Sequence, residues 1–514
     1  YTNTGIISLT DPNGWGYNGT TAVVQAGFLN RPKFIDDMRS LRMNLNGDIE
    51  GSLFSNWEIG GNYSRRKKTS AFTSFFLCPT GGTDCTVAGG TPGSAPVPSE
   101  ALLGSNVSLG YLGVPAMLTL NPLYLYDNVL DAVYDNRPQS LVRDNFVKED
   151  VFTGYAKMTM DGELGGKPLK GAFGVQVIHS RQRSVGTISS FSNGVVTVVP
   201  ASGKASYTDF LPSAQISVEL EPGFFVKLGA AQAMVRPRLD QERVNQEFSF
   251  DPSKIGLGSD PMNSPFSSNG GNTNLRPYQS TNIDLSVERY FRNGGYVSLS
   301  GYFKNLTDFV DPNNSIAYDF SSLLPALPVD VRNEIIANGG AIGLLKAPAN
   351  NGRGTIMGVE GTASLPFKLF SESLDGFGLF ASGSYTHSEV KYGSNPTDTV
   401  TLPGLSKWVA SGTAYFERNG FQARVSYRYR SSFLGEVAGL SAAPTFRTAK
   451  AEGILDAQIG YEFQSGPLTG LSILLQGKNL TDQPFVTYQN DDPRQVIDYQ
   501  RYGRDYYLGL TYKF

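Results

Sequence analysis

The sequence predicts an all-β chain that folds as a transmembrane antiparallel β-barrel. Three observations carry that expectation. Apolar residues recur at every second position over runs that approach ten residues, the connections between runs alternate between short and long, and the last run is apolar and aromatic at alternate positions.

The alternation is clearest where Phe421, Ala423, Val425, Tyr427 and Tyr429 interleave with Gln422, Arg424, Ser426, Arg428 and Arg430. Leu41, Met43, Leu45 and Ile49 interleave with Arg42, Asn44, Asp48 and Glu50 in the same way. A soluble sandwich alternates too, but its strands average about 5–6 residues. These runs match the roughly 9–11 residues that a tilted strand needs to cross the hydrocarbon layer. Arginine and lysine then line a wet lumen. About fifteen such strands are predicted, at 40–50, 57–65, 151–163, 169–183, 207–220, 224–234, 281–291, 295–306, 357–365, 377–387, 407–416, 421–430, 454–463, 471–479 and 504–514.

Short connections carry hairpin chemistry, as in Glu221-Pro222-Gly223, Arg292-Asn293-Gly294 and Arg418-Asn419-Gly420. Long ones fall at 66–150, 184–206, 235–280, 307–356, 388–406, 431–453 and 480–503. Short turns at one end and long loops at the other are the outer-membrane pattern, which places the long loops outside the cell. Residues 1–39 read as the remains of a further outer loop, and residues 40–514 as the barrel portion. An odd strand count leaves a barrel unable to close by itself. The expected structure is therefore an open sheet with a missing arc, or a sheet completed by a second polypeptide.

Composition agrees. A net charge of -3 over 514 residues implies no strongly charged partner and no nucleic acid. No apolar run is long enough for a transmembrane helix. A barrel satisfies its backbone between strands, so a mean hydropathy of -0.21 is compatible with a membrane protein.

Candidate binding residues follow from the loops. The 66–150 loop is long enough to expect a role. Its Phe72, Phe75, Phe76, Tyr111, Tyr124 and Tyr126 suit stacking on sugar rings or planar chelates, or packing of the loop on itself. Arg424 and Arg428, with Arg236 after an earlier strand, are candidate lumen contacts. The run Arg65-Arg66-Lys67-Lys68 at a strand's outer rim can meet lipopolysaccharide phosphates, or form a solvated strand end. Cys78 and Cys85 in a Gly/Pro-rich stretch suit a disulfide in an oxidising compartment, the alternative being two unpaired thiols. No metal-ligand or nucleophile motif stands out. Loop carboxylates such as Glu149-Asp150 and Asp491-Asp492 can hold calcium or stand as solvated acids, the commoner use. His179 and His387 are expected as polar residues at the lumen or rim. No cofactor and no catalytic centre are read.

Several motifs carry a resemblance. Lys478-Asn479-Leu480-Thr481-Asp482, Pro484-Phe485, Tyr502-Gly503-Arg504 and the strand to Phe514 resemble the C-terminus of TonB-dependent outer-membrane receptors. Upstream, Tyr207-Thr208-Asp209-Phe210-Leu211-Pro212-Ser213, Met234-Val235-Arg236-Pro237, Gly271-Asn272-Thr273-Asn274-Leu275-Arg276-Pro277, Lys304-Asn305-Leu306-Thr307-Asp308 and Met357-Gly358-Val359-Glu360-Gly361 are similar to that family's barrel. In detail the chain looks most like the large Caulobacter- and Xanthomonas-type receptors. The resemblance implies a barrel of about 22 strands, of which this chain is the last two-thirds, with a plug domain that this sequence does not contain. It further implies location in the outer membrane of a Gram-negative bacterium and energy-coupled uptake of an oligosaccharide or siderophore-like chelate. Implied partners are the missing strands and plug, the TonB complex acting through the plug, and outer-membrane lipid. The barrel-assembly machinery would read Tyr506, Leu508, Leu510, Tyr512 and Phe514. A passive pore or a structural surface barrel is the alternative.

A Cys78–Cys85 disulfide predicts that the unreduced, denatured protein takes up no thiol reagent and that the reduced protein takes up two. Labelling without reductant would remove the assignment.

Overall fold

The computed structural model describes residues 27–513, apart from 52, 81–97, 105–106, 110–113, 118, 136–137, 193–194, 292–293, 313, 393–394, 439–443 and 490–491. Fifteen strands form the wall. They are β1 Gly27–Asp48, β2 Phe54–Pro79, β3 Asn145–Leu164, β4 Lys167–Ser192, β5 Val195–Glu221, β6 Phe224–Val235, β7 Tyr278–Tyr290 and β8 Tyr296–Asp311. Then follow β9 Ala349–Pro366, β10 Phe377–Tyr392, β11 Trp408–Arg418, β12 Phe421–Arg430, β13 Glu452–Glu462, β14 Leu471–Lys478 and β15 Asp505–Tyr512. Each pairs antiparallel with the next in chain order. Among the described residues no pairing joins β1 to β15.

Register fixes which side chains share a face, because directly opposed residues point the same way. The outward face is apolar. Leu41 lies opposite Tyr63, and Met43 and Leu45 lie opposite Gly61 and Ile59. Across β6, β7 and β8, Leu228 lies opposite Leu285, and Val287 lies opposite both Val226 and Leu299, all on the outward face. Aromatic rings edge this band at both ends, as a membrane barrel requires. At the long-loop end Tyr63 meets Phe152 with ring centroids 4.7 Å apart, and Tyr385 meets Trp408 at 4.6 Å. At the short-turn end Phe416 lies 4.5 Å from Phe377 and 5.9 Å from Phe421.

The wall strands extend farther than the polarity pattern suggests. β1 starts at Gly27 and not at residue 40, so 27–39 belong to the wall; residues 1–26 lie outside the described residues. The loop expected at 66–150 is shortened at both ends, since β2 runs to Pro79 and β3 starts at Asn145. The expected loop 184–206 is strand, with β4 and β5 paired as far as Ser192 opposite Val195. Twenty-six residues of β4 span about 85 Å against a hydrocarbon core of about 30 Å. Beyond the lipid neither face is held apolar, so the alternation fades while Val, Thr and Ile still favour extended backbone.

The two Lys-Asn-Leu-Thr-Asp motifs, which lie where the predicted strands 295–306 and 471–479 end, diverge. The second ends β14: the Asn479 Nδ2 donates to Gly503 O at 2.9 Å, and its Oδ1 accepts from Gln483 N at 2.9 Å. The first continues the strand through a bulge between Leu306 and Phe309, with Asp308 at φ 56°. A left-handed asparagine or aspartate is tolerated in either setting.

Asn419 and Gly420, at φ 53° and 81°, make the tight turn between β11 and β12. A Cβ on Gly420 would strike the carbonyl oxygen of Glu462. Gly420→Val is expected to cost about 1–3 kcal/mol and to lower the urea midpoint of the refolded barrel, followed by intrinsic fluorescence. An unchanged midpoint would refute the turn assignment.

Candidate functional site: the inward wall and its docked loop

Polar alternation puts the complementary residues on the inward face. On β1–β3 they form a chain: Arg42 Nη2 donates to the Tyr155 hydroxyl at 3.3 Å, the hydroxyl donates to Glu58 Oε1 at 2.7 Å, and Lys157 Nζ lies 3.9 Å from Glu58 Oε2. Gln176, Gln215 and Asp284 extend this lining around a cavity of about 520 Å3. A second hollow of about 730 Å3 lies on the inward side of β12–β15, lined by Arg428, Asp456, Lys478, Gln483, Phe485 and Tyr502. Arg428 Nη2 is 3.0 Å from Asp456 Oδ2 there. Such walls offer both charge signs, amides and rings, which suits a polar solute with several hydrogen-bonding groups.

The connection after β6, residues 236–277, folds back onto the inward side of β3–β5. Gln182 Nε2 donates to the carbonyls of Thr273 (2.8 Å) and Leu275 (2.9 Å). Val244 N donates to Ser184 Oγ at 2.9 Å, and Asn245 Nδ2 donates to Val142 O and Asp144 O at 2.5 and 2.9 Å. Gly186 leaves the room that Asn245 occupies, because a Cβ there would overlap its amide. Arg236 Nη1 lies 3.3 Å from Glu149 Oε2. An apolar cluster of Phe248, Phe266, Phe320, Leu324, Leu327 and Ile335 joins this connection to the one that follows β8. Phe248, Phe266 and Phe320 keep their ring centroids 5.7–5.9 Å apart. Glu242 is 1% exposed and neither of its carboxyl oxygens has a hydrogen-bond partner among the described residues. Burial foremost, with the nearby Glu149 carboxylate adding to it and Arg236 opposing, pushes its pKa up to about 9.

Several residues singled out in the sequence sit elsewhere than expected. Phe72, Phe75 and Phe76 belong to β2 itself. Phe76 is 2% exposed against Phe28, Phe75 meets Tyr134 edge-on, and Arg143 covers Phe72. Tyr124 packs beside the buried residues Ala101, Leu125 and Val129, and the Tyr126 hydroxyl accepts from Arg31. Each of these side chains thus has a partner within the chain. Tyr111, Cys85, Asp491 and Phe514 lie outside the described residues; Cys78 is buried at the end of β2. Arg424 and Arg428 do face inward, with Arg424 paired to Glu417. Glu149 and Asp150 are not loop acids: they lie on β3 and point to opposite faces, so they cannot share one ion. His179 and His387 are on the outward face, beside Thr208 and Glu389. Tyr506, Leu508, Leu510 and Tyr512 form one exposed outward row on β15. The Arg65–Lys68 run lies within β2, not at its end, and alternation divides it: Arg65 and Lys67 point out, Arg66 and Lys68 in, with Arg66 paired to Asp36. Arg42, Glu58 and Tyr155 were visible only as members of a polar face. Nothing in the local sequence marks Glu242.

The family model described as "TonB dependent receptor-like, beta-barrel" matches residues 2–480. A search of curated proteins found no match. Among solved structures, the ferric citrate transporter FecA is similar at 12% identity and a TM-score of 0.55, covering 96% of this chain and 56% of its own. The ferric-catecholate import receptor Fiu from K12 E. coli gives 12% identity and 0.52, covering 94% and 55%. The copper transporter OprC gives 13% and 0.52, covering 94% and 58%. The chain thus spans just over half the length of these proteins, and at such identities the likeness concerns the fold.

The raised Glu242 value sets a pH dependence. The docked connection holds a proton that an undocked one releases near the ordinary glutamate value of 4.5. Docking is therefore firmest below that value and weakens as the pH rises towards 9. Backbone hydrogen exchange over 236–277, corrected for intrinsic rates, is expected to lose protection between pH 5 and pH 9. Glu242→Gln should flatten that profile, and an identical profile in the variant would exclude Glu242 as its origin.

Proposed function

Because the chain belongs to the TonB-dependent receptor β-barrel family, we propose that it supplies the solute-binding wall of an outer-membrane receptor for energy-coupled uptake of a scarce solute. The observation that carries this reading is the polar inward wall, with a long connection folded down onto it. A plain pore needs an open lumen, whereas a receptor needs groups that converge on cargo.

Cargo of two kinds suits the wall: an oligosaccharide, or a siderophore-like chelate. The first would use the Tyr155 ring and the amides of Gln176 and Gln215, and the second the Arg42 guanidinium against chelate oxygens. The solved relatives named for ferric citrate, ferric catecholate and copper support the chelate. Energy would come from the TonB complex acting through a plug. No catalytic step is proposed.

The test uses the intact gene product in its own outer membrane. Uptake of labelled chelates and oligosaccharides is expected to cease when the TonB complex is disabled. Arg42→Ala combined with Tyr155→Ala should lower binding roughly tenfold, as loss of a charge-assisted contact and a stacking face would. Free permeation of small sugars through liposomes containing the protein, independent of energy, would overturn the receptor reading in favour of a passive pore.

A further inference from the structure

The docked connection buries more oxygen than its hydrogen bonds use. On the inward face of β3–β5, Glu149 stands directly opposite Gln182, and one side-chain step nearer the short turns Ser180 stands directly opposite Tyr207. Adjacent strands are about 4.8 Å apart, and residues two apart on one strand about 6.6 Å. Long side chains from β3 and β5 can therefore meet in front of β4. Glu242 enters the same space from the connection, between the Arg236–Glu149 contact before it and the Val244 and Asn245 anchors after it. Its carboxyl feels the charge of Glu149, and the Tyr207 hydroxyl feels both, so the three converge.

Five oxygen atoms in this space have no hydrogen bond of ordinary geometry among the described residues. They are Glu149 Oε1, both carboxyl oxygens of Glu242, and the hydroxyls of Ser180 and Tyr207. None of the four side chains belongs to a residue more than 6% exposed. Charge is short as well. Among the described residues Arg236 is the only cation within ion-pair distance of either carboxylate, and at 34% exposure it is shared with water. Arg66, opposite Glu149 on β2, is taken by Asp36. Asp240 adds negative charge nearby and is itself paired with Arg238. A buried carboxylate without a counter-charge is costly. Glu242 must therefore hold a proton, as its raised pKa records, or share a cation.

The donors decide which cation. All five are oxygens, with no sulfur or imidazole among them, so a hard cation fits and zinc or copper does not. Calcium accepts about six to eight oxygens in a flexible arrangement and completes its shell with water, whereas magnesium demands a near-octahedral set. Two carboxylates are few for such an ion, and among the described residues no three histidine, cysteine, aspartate or glutamate side chains converge on one point. The expected affinity is that of weak extracellular sites, a Kd of about 0.1–1 mM.

We propose that Glu149, Glu242, Ser180 and Tyr207 bind a divalent cation of the calcium class, which clamps the connection after β6 onto β3, β4 and β5. The ion takes the place of the proton on Glu242 and ties residues of three strands to the connection. The clamp is independent of which solute is transported.

The intact gene product in detergent is stripped of metal with a chelator and titrated with terbium, whose emission a nearby tyrosine sensitises. Emission should rise, and calcium at about millimolar concentration should lower it by displacement, while sodium at equal ionic strength should not. Backbone hydrogen exchange over 236–277 is then followed at a single pH. Calcium at about ten times its Kd should slow that exchange roughly tenfold. Glu242→Gln, which keeps an uncharged group in the same space, should stay docked and lose the response to calcium. Tyr207→Phe should lose most of the terbium emission. The measurements on the unmodified protein stand even if neither variant folds. Exchange that calcium leaves unchanged would overturn the proposal. So would equal slowing by sodium, a folded Glu242→Gln variant that responds normally, or full terbium emission from folded Tyr207→Phe.

Discussion

Inside hydrocarbon no water is available to a backbone amide, so every N–H and C=O must be met by a neighbouring strand. That single requirement orders the whole molecule. It forces fifteen strands into sequential antiparallel pairing, and pairing in register forces side chains into two faces that alternate without interruption. Whatever a residue does here is decided first by the parity of its position. Leu228 and Lys227 are adjacent in the chain, yet Leu228 faces lipid and Lys227 pairs with Glu288 across the inward side.

The same pairing explains how the molecule extends beyond the bilayer. Hydrogen bonding between β4 and β5 does not stop where the lipid stops, and the hairpin continues to Ser192 and Val195. There the inward face acquires a second role. It becomes a seat for the connection after β6, held by side-chain amides and hydroxyls that reach backbone groups. Such bonds meet the donors, and among the described residues the cost of burying polar surface falls on acceptors left over, such as Gln182 Oε1, Asn245 Oδ1 and both carboxyl oxygens of Glu242.

Legibility in the sequence follows lipid contact. The number of wall strands, the short turns and the outward aromatic row of Tyr506 to Tyr512 were readable, because lipid demands apolar residues at a fixed period. The strand ends were not. From Thr69 to Pro79 and from Ser184 to Ser192 both faces escape the lipid, and the period that marks a strand dissolves while the strand persists. The inward site was half visible. Arg424 and Arg428 announced a polar face, but the Arg42–Tyr155–Glu58 chain joins residues 113 and 97 positions apart, and only the pairing of β1 with β2 and of β2 with β3 brings them together. The aromatic residues of β2 were legible only in part for a related reason: a ring in a long polar connection signals a contact without saying whether the partner is a ligand or another residue of the chain.

The division of Arg65 to Lys68 between two faces has a consequence for how such a chain can change over generations. Even and odd positions of one strand answer to different selecting agents, one to whatever enters the lumen and the other to the envelope lipid. Point substitutions let each agent rewrite its own half of the text without touching the other's. Insertion or deletion of a single residue within a strand exchanges the two halves at once. Descendants of this wall should therefore diverge freely by substitution, and differ in length only where strands end.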